Sequence, residues 1–501
     1  MNIGQAVTAL SHGARSTIDI YFSDVFGVAP RILERYGAFN VSLVNDLPLF
    51  IDPFLLFNSR KPKYRKLHEQ IIAYLSFLRD KSAAGSVGDG LLRAWYTFKE
   101  VHQNWLGFSR AGNRGSGLGL DFGRALNRNL NTVFSSFGNE QVTRSSHLEK
   151  LSLIGSGVGR DHISDFTTNL IKGFLLDYTQ AFAQKHIDPS LCRTFGVDRV
   201  IFNYSTESWE SRRFDLPAFR GEFVILTPRE ILTRDEIWIN RPELISRFDE
   251  IAAALPNESL RAVVNNHIRR QLTKRSKQKE INEARARTIQ EFPQLIEYYI
   301  KDKEDHGDRA VTVSEKRVES SEQFYIAQVR PVVALLNKVG FYAIQGTTYD
   351  EAHERVKYLK DNIENKGGHR AFYMDGEPVR REEDVQRLFR LVWFGTPSDV
   401  SREVNDGRGP ADFKISRGAA DKTVVEFKLA SNSQLRRNLE RQVDIYQKAS
   451  DAPQALKVIV YFSAKEFSKV RRVLKGLKLL DSPDIILIDA RRDNKPSGSK
   501  A

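Results

Sequence analysis

The chain has 501 residues, enough for two or three domains, and its 41% hydrophobic content supports ordinary globular cores. A formal net charge of +13 favours a polyanionic partner, nucleic acid first. The single cysteine, Cys192, excludes an internal disulfide and a cysteine-based zinc site, and no stretch reaches the roughly 18 apolar residues of a membrane span. The amino-terminal segment lacks a signal-peptide core, so a cytoplasmic protein with no membrane partner is expected.

In chain order, residues 1–254 read as an amino-terminal α+β domain of unassigned fold. Leu49–Phe57 is a dense apolar run behind a turn, and Glu69–Asp80 has helical spacing. Asp165–His186 carries apolar residues every three to four positions, with Asp165 as a capping residue. Gly221–Pro228 and Glu236–Asn240 read as strands. The glycine-rich stretch Ser109–Gly123 lacks a Gly-Lys-Ser/Thr ending and reads as a loop. Gly155–Gly159 reads as a helix entry, with Asp161, His162 and Asp165 as a secondary site candidate.

Residues 255–368 read as a helical, charged connector. Arg269, Arg270, Lys274, Arg275, Lys277 and Lys279 crowd one stretch, either a solvated face or a phosphate-contacting one. Lys301–Gln323 is highly charged with few apolar anchors and reads as a mobile linker or exposed connection. Two helices follow, the second ended by Gly367-Gly368.

Residues 369–492 are the most legible part, with 493–501 as a disordered tail. Val379–Phe394 places Val385, Leu388, Phe389 and Val392 on one helical stripe. Val400–Asn405, Ala411–Ser416 and Lys422–Ala430 are three strands joined by turns, which predicts an antiparallel meander. A helix over Ser433–Ser450, a strand over Lys457–Ala464, another helix and a strand over Asp484–Ala490 complete the order, and a strand reached through a helix can run parallel in the same sheet. Glu426 and Lys428 are two apart on a strand, so they share a face, and they interrupt an otherwise apolar run. Asp412 lies on the preceding strand and comes level with Glu426 if the register is right. Two carboxylates and an ammonium at one sheet edge suit Mg²⁺, which takes hard oxygen ligands. Arg408, between Gly407 and Gly409, is a candidate phosphate contact or a surface turn residue.

The pattern D-x(13)-E-x-K from Asp412 to Lys428, with Pro410 two residues before the aspartate, resembles the PD-(D/E)XK nuclease superfamily of restriction enzymes, recombination exonucleases and phage-defence effectors. Pro410-Ala411-Asp412 has one residue more than a strict Pro-Asp. The resemblance covers about residues 370–490 and implies a restriction-endonuclease-like αβββαβ core within an α/β and α+β multidomain chain. It implies Asp412, Glu426 and Lys428 as catalytic residues, with Asp412 and Glu426 also holding Mg²⁺, or Mn²⁺ in its place. It further implies an acid on the first core helix as a metal ligand, and Glu382 is chosen there ahead of its neighbour Glu383. Gln442-x-x-x-Tyr446 resembles the Q-x-x-x-Y motif of the exonuclease branch, which implies a substrate-contacting or bracing role for Gln442 and Tyr446. The implied activity is hydrolysis of phosphodiester bonds in nucleic acid, DNA favoured, in prokaryotic defence against phage or foreign DNA. A homo-oligomer or a defence-system partner protein is left open. The alternative is a non-catalytic nucleic-acid-binding or regulatory module on the same fold.

Overall fold

The computed structural model describes residues 19–44, 46–85, 87–107, 118–133, 140–154, 158–273, 276–338, 346–393, 399–401, 413–417, 421–446 and 454–495. It is a mixed α/β chain with several small sheets. No helix among the described residues is long and apolar enough to cross a membrane.

The apolar run at Leu49–Phe57 splits into strand β1 (Leu49–Ile51) and a short helix, because Asp52 caps Pro53–Phe57 through the amide of Phe54. Helix α1 (Pro62–Ala83) contains the expected helix and buries Leu67, Ile71, Tyr74 and Leu78 along one stripe. The expected helix over Asp165–His186 is two helices, α2 (Arg160–Leu170) and α3 (Lys172–His186), broken at Ile171. The break lies where Gly173 passes under Val200: a Cβ on Gly173 would stand 3.2 Å from the Val200 carbonyl. Gly159, not Asp165, occupies the amino-terminal cap position of α2.

Val200 belongs to a long antiparallel hairpin, β2 (Cys192–Asn203) and β3 (Ser208–Phe219), with a register shift between Val197 and Ile201. Of the strand expected at Gly221–Pro228, only Glu222–Phe223 is in a ladder. Glu236–Asn240 forms no strand, although Ile237 and Ile239 are buried. Apolarity marked these segments as buried without supplying a neighbouring strand to pair with. Strand β4 (Leu232–Arg234) pairs antiparallel with β1.

The connector is helical: α4 (Glu258–Gln271), α5 (Gln278–Glu291), α6 (Gln294–Asp305) and α7 (Gly307–Glu322). Lys301–Gln323, expected as a mobile linker or an exposed connection, is therefore helical over most of its length. Its charges are matched by residues distant in sequence. The buried Lys303 ammonium lies 2.7 Å from Glu243 and 3.7 Å over the Trp238 ring, and buried Glu304 meets His147 at 2.8 Å. Helix α8 (Val329–Lys338) and helix α9 (Thr348–Asn365) follow. As expected, Gly367 ends α9 in the left-handed region.

Helix α9 packs on the carboxy-terminal sheet rather than bridging to it. Thr348 donates to Asp421 at 2.6 Å, Tyr349 to Asp484 at 2.7 Å, and Lys360 to the Leu487 carbonyl at 2.6 Å. The elements packed on this sheet thus include α9. The chain continues with α10 (Glu382–Val392), β5 (Asp399–Ser401), β6 (Phe413–Arg417), β7 (Asp421–Leu429), α11 (Leu435–Tyr446), β8 (Gln454–Tyr461), α12 (Ala464–Gly476) and β9 (Ile485–Asp489). Among the described residues the strand order is β9-β8-β7-β6-β5. β5, β6 and β7 form the expected antiparallel meander, and β8 and β9 run parallel to β7. Asp493–Lys495, placed by the sequence in a disordered tail, are tied to Asp489 by Asn494 and Lys495.

The two sheet faces carry different cores. Val425, Phe427 and Val458 face α10, where Phe389 lies 4.2 Å from the Phe427 ring and 5.1 Å from Phe413. Ile459, Leu435, Leu439, Val470 and Leu474 form a separate cluster on the α11 and α12 side. The first cluster is continuous with the amino-terminal half and runs from Ile20 to Ala490.

Candidate functional site

Strand β7 carries the two charges that the sequence singles out. Alternation turns Val425, Phe427 and Leu429 to the α10 side, so Glu426 and Lys428 face the opposite way. Glu426 is only 4% exposed. Its partner on β8 is Lys457, and Lys428 pairs with Ile459. Residues paired across a parallel ladder share a face, so Glu426, Lys428 and Lys457 form one polar patch in a buried sheet.

The chain order missed Lys457. A buried strand was expected over Lys457–Ala464, with the lysine as its first residue. The strand begins three residues earlier, at Gln454, and Lys457 sits inside it at 7% exposure. The signal was the one that marked Glu426: a charge inside an apolar run, here Ala455-Leu456-Lys457-Val458-Ile459. Burial pulls the Lys457 ammonium below its ordinary value, against the opposing pull of Glu426 and Asp484.

Helix α10 supplies the second carboxylate. Three successive acids, Glu382, Glu383 and Asp384, occupy its first turn, where the helix dipole favours negative charge. They point about 100° apart, so packing decides which one meets the sheet. Glu382 does: its carboxylate lies 3.4 Å from the Lys428 ammonium and accepts from the Leu429 amide at 3.3 Å and the Asn432 side chain at 2.7 Å. Asp384 turns away from the sheet, toward Tyr325 and Arg234.

Glu382 thus meets Lys428 at the end of β7, and Glu426, two residues earlier on the same strand, has Lys457 as its ladder partner. Asp412 and Arg408 lie outside the described residues, as do the side chains of Gln442 and Tyr446, whose backbone falls in the last turns of α11. Among the described residues no group of three or more His, Cys, Asp or Glu side chains is placed to hold a metal ion. Glu382 and Glu426 are hard oxygen donors of the kind Mg²⁺ takes, and that ion commonly binds through one or two carboxylates, with waters and substrate phosphate completing its shell.

The secondary candidate is also placed. Asp161 and His162 border a cleft of about 500 Å³ with Arg160, Glu236 and Arg241. Burial raises the Asp165 carboxyl to about 7, helped by Glu100 and Asp161. Gly155–Gly157 lie outside the described residues, as does most of the Ser109–Gly123 stretch. In the basic stretch, Arg269, Arg270, Lys277 and Lys279 are exposed, and Lys274 and Arg275 lie outside the described residues.

Residues 27–240 match a family model described as a domain of unknown function, DUF8370, and residues 348–464 match another, DUF8371. The second match begins at the first residue of α9. No curated protein matches the chain, and no solved structure does.

Proposed function

We propose that residues 348–489 form a metal-dependent nuclease centre that hydrolyses phosphodiester bonds, with DNA as the favoured substrate. One observation carries the reading: Glu426 and Lys428 sit inside a buried strand, and Glu382 reaches the same strand end from a separate helix. Buried charges cost several kcal/mol unless paired or coordinated, so their convergence calls for a reason beyond packing. The helix, three-strand meander, helix and parallel strand around them are in the order that the PD-(D/E)XK resemblance implies.

Asp412 is included on the resemblance, and in sequence it immediately precedes the first described residue of β6. The last described pair of the β6–β7 ladder is Phe413 with Val425. Asp412, Glu426 and Glu382 would hold the ion. A bound Mg²⁺ or Mn²⁺ would supply Lewis acidity toward phosphate oxygens. Lys428 provides an ammonium that can stabilise charge developing on the phosphate, and Glu382 fixes that ammonium in place. Lys457 balances Glu426 from the neighbouring strand. Arg408, Gln442 and Tyr446 are the proposed substrate contacts. A prokaryotic defence setting follows from the resemblance alone.

The competing reading is a non-catalytic nucleic-acid-binding module. The contact between Lys428 and Glu382 favours it, because charges that neutralise one another require no metal. Plasmid nicking separates the two. Wild type is expected to relax supercoiled DNA with Mg²⁺ and not with EDTA, and Lys428→Ala and Asp412→Ala to be inactive while still folded. Cutting that survives both substitutions would remove this site from the chemistry.

A further inference from the structure

We propose that Asp384 is a positioning residue for this site: its contacts with Arg234 and Tyr325 fix the first turn of α10 and, through that turn, the carboxylate of Glu382. The proposal rests on the assignment of Glu382 to the candidate centre, and it gives the amino-terminal half a physical part in that centre.

Glu382 and Asp384 are two residues apart, so they leave the helix about 200° apart, on nearly opposite sides. Glu382 points at Lys428, the Leu429 amide and Asn432. Asp384 points away from the sheet. Its Oδ1 accepts from the Tyr325 hydroxyl at 2.6 Å and lies 3.4 Å from the Arg234 guanidinium. Arg387, one turn on, adds a second ion pair at 3.8 Å. Asp384, Arg234 and Tyr325 are all buried, which makes the arrangement costly to break and narrow in geometry.

The holder is itself held. Arg234 ends β4 and pairs with Leu49 on β1, so its backbone is fixed in a two-stranded ribbon of the amino-terminal half. Its guanidinium lies 5.5 Å over the Tyr325 ring, and the Tyr325 carbonyl accepts from the Tyr21 hydroxyl. The next residue, Asp235, pairs with Arg381 at 2.7 Å. Positions 381 and 384 of the α10 start are therefore gripped by two consecutive residues of one strand end, and Glu382 lies between them. A shift of that ribbon relative to the sheet would rotate Glu382 with respect to Lys428, which is a direct route from the amino-terminal half to the site.

Hydrogen exchange at the Leu429 amide tests this without requiring activity, because Glu382 accepts from that amide. Full-length wild type, Asp384→Asn and Tyr325→Phe are compared by mass spectrometry on fragments resolving residue 429, with 486–488 as an internal control and Glu382→Ala as the reference for a lost acceptor. Both clamp variants are expected to speed exchange at 429 about tenfold, with little change at 486–488. Exchange at 429 that stays at the wild-type rate, or that rises equally with the control, makes Asp384 a merely structural residue and overturns the proposal. Metal-dependent cutting is scored on the same samples. A wild type that never cuts sinks the nuclease reading, and the exchange result still decides the clamp.

Discussion

Replacing Lys457 by methionine keeps most of the stem and removes one ammonium from beside Glu426. Both groups are buried, and they are direct partners across β7 and β8. Removing one member of a buried pair costs about 3–5 kcal/mol, because the remaining charge stays desolvated. Two features push the expectation to the lower end: Lys428 remains on the same face, and burial already holds the Lys457 ammonium below its ordinary value. A loss of about 3 kcal/mol in a unit of this size lowers Tm by about 6–12 °C in EDTA. What is lost is positive charge, so a divalent cation should replace it. Wild type binds the ion too on this account, so the gap changes only by the difference in affinity: a variant that binds about tenfold more tightly, for want of one competing positive charge, regains about 1.4 kcal/mol on wild type at saturating metal. Circular-dichroism melts of both proteins in EDTA and in Mg²⁺ measure this. A variant as stable as wild type in EDTA, or a deficit that Mg²⁺ leaves untouched, would refute the electrostatic account of the patch.

Three further outcomes are expected. Asp165, held up to about 7, keeps its proton in the folded state where the unfolded chain, near 3.8, has lost it. Its contribution is therefore complete below about 3.8 and disappears as pH rises through about 7, so Asp165→Asn should gain roughly 2–4 kcal/mol at pH 7.5 and flatten the slope between pH 5 and 7.5 in urea titrations. An unchanged slope would contradict it. Phe389→Ala should cost about 3–5 kcal/mol in the same assay, since its ring bridges Phe413, Phe427 and Trp393; a loss below 1 kcal/mol would mean α10 does not pack there. A fragment beginning at residue 348 should be loosely folded or insoluble, because its core is continuous with residues from Ile20 to Ile237. A fragment that melts cooperatively at the full-length temperature would disprove that continuity.

The carboxy-terminal sheet was legible because its strands are apolar runs bounded by turns, and the face of Glu426 and Lys428 followed from alternation alone. What the sequence left open concerned partners. The periodicity of α9 announced a helix but not that Thr348 and Lys360 bind the sheet. Glu382 and Glu383 were separated only by the rotation of α10 against Phe413 and Phe427. The β2–β3 hairpin was not foreseen, because most of its residues are exposed or half-exposed and it shows no clean alternation. Lys301–Gln323 looked like a linker because Glu243 and His147, which match its buried charges, lie far away in the chain.

The central claim is that a divalent ion is held where β6, β7 and α10 converge. Crystals of the full chain soaked in Mn²⁺ and measured for anomalous scattering test it directly. The account predicts one strong peak within coordination distance of both Glu426 and Asp412, lost in Asp412→Asn. A peak elsewhere, or a Glu426 carboxylate that still faces Lys457 with no ion beside it at millimolar Mn²⁺, would contradict it.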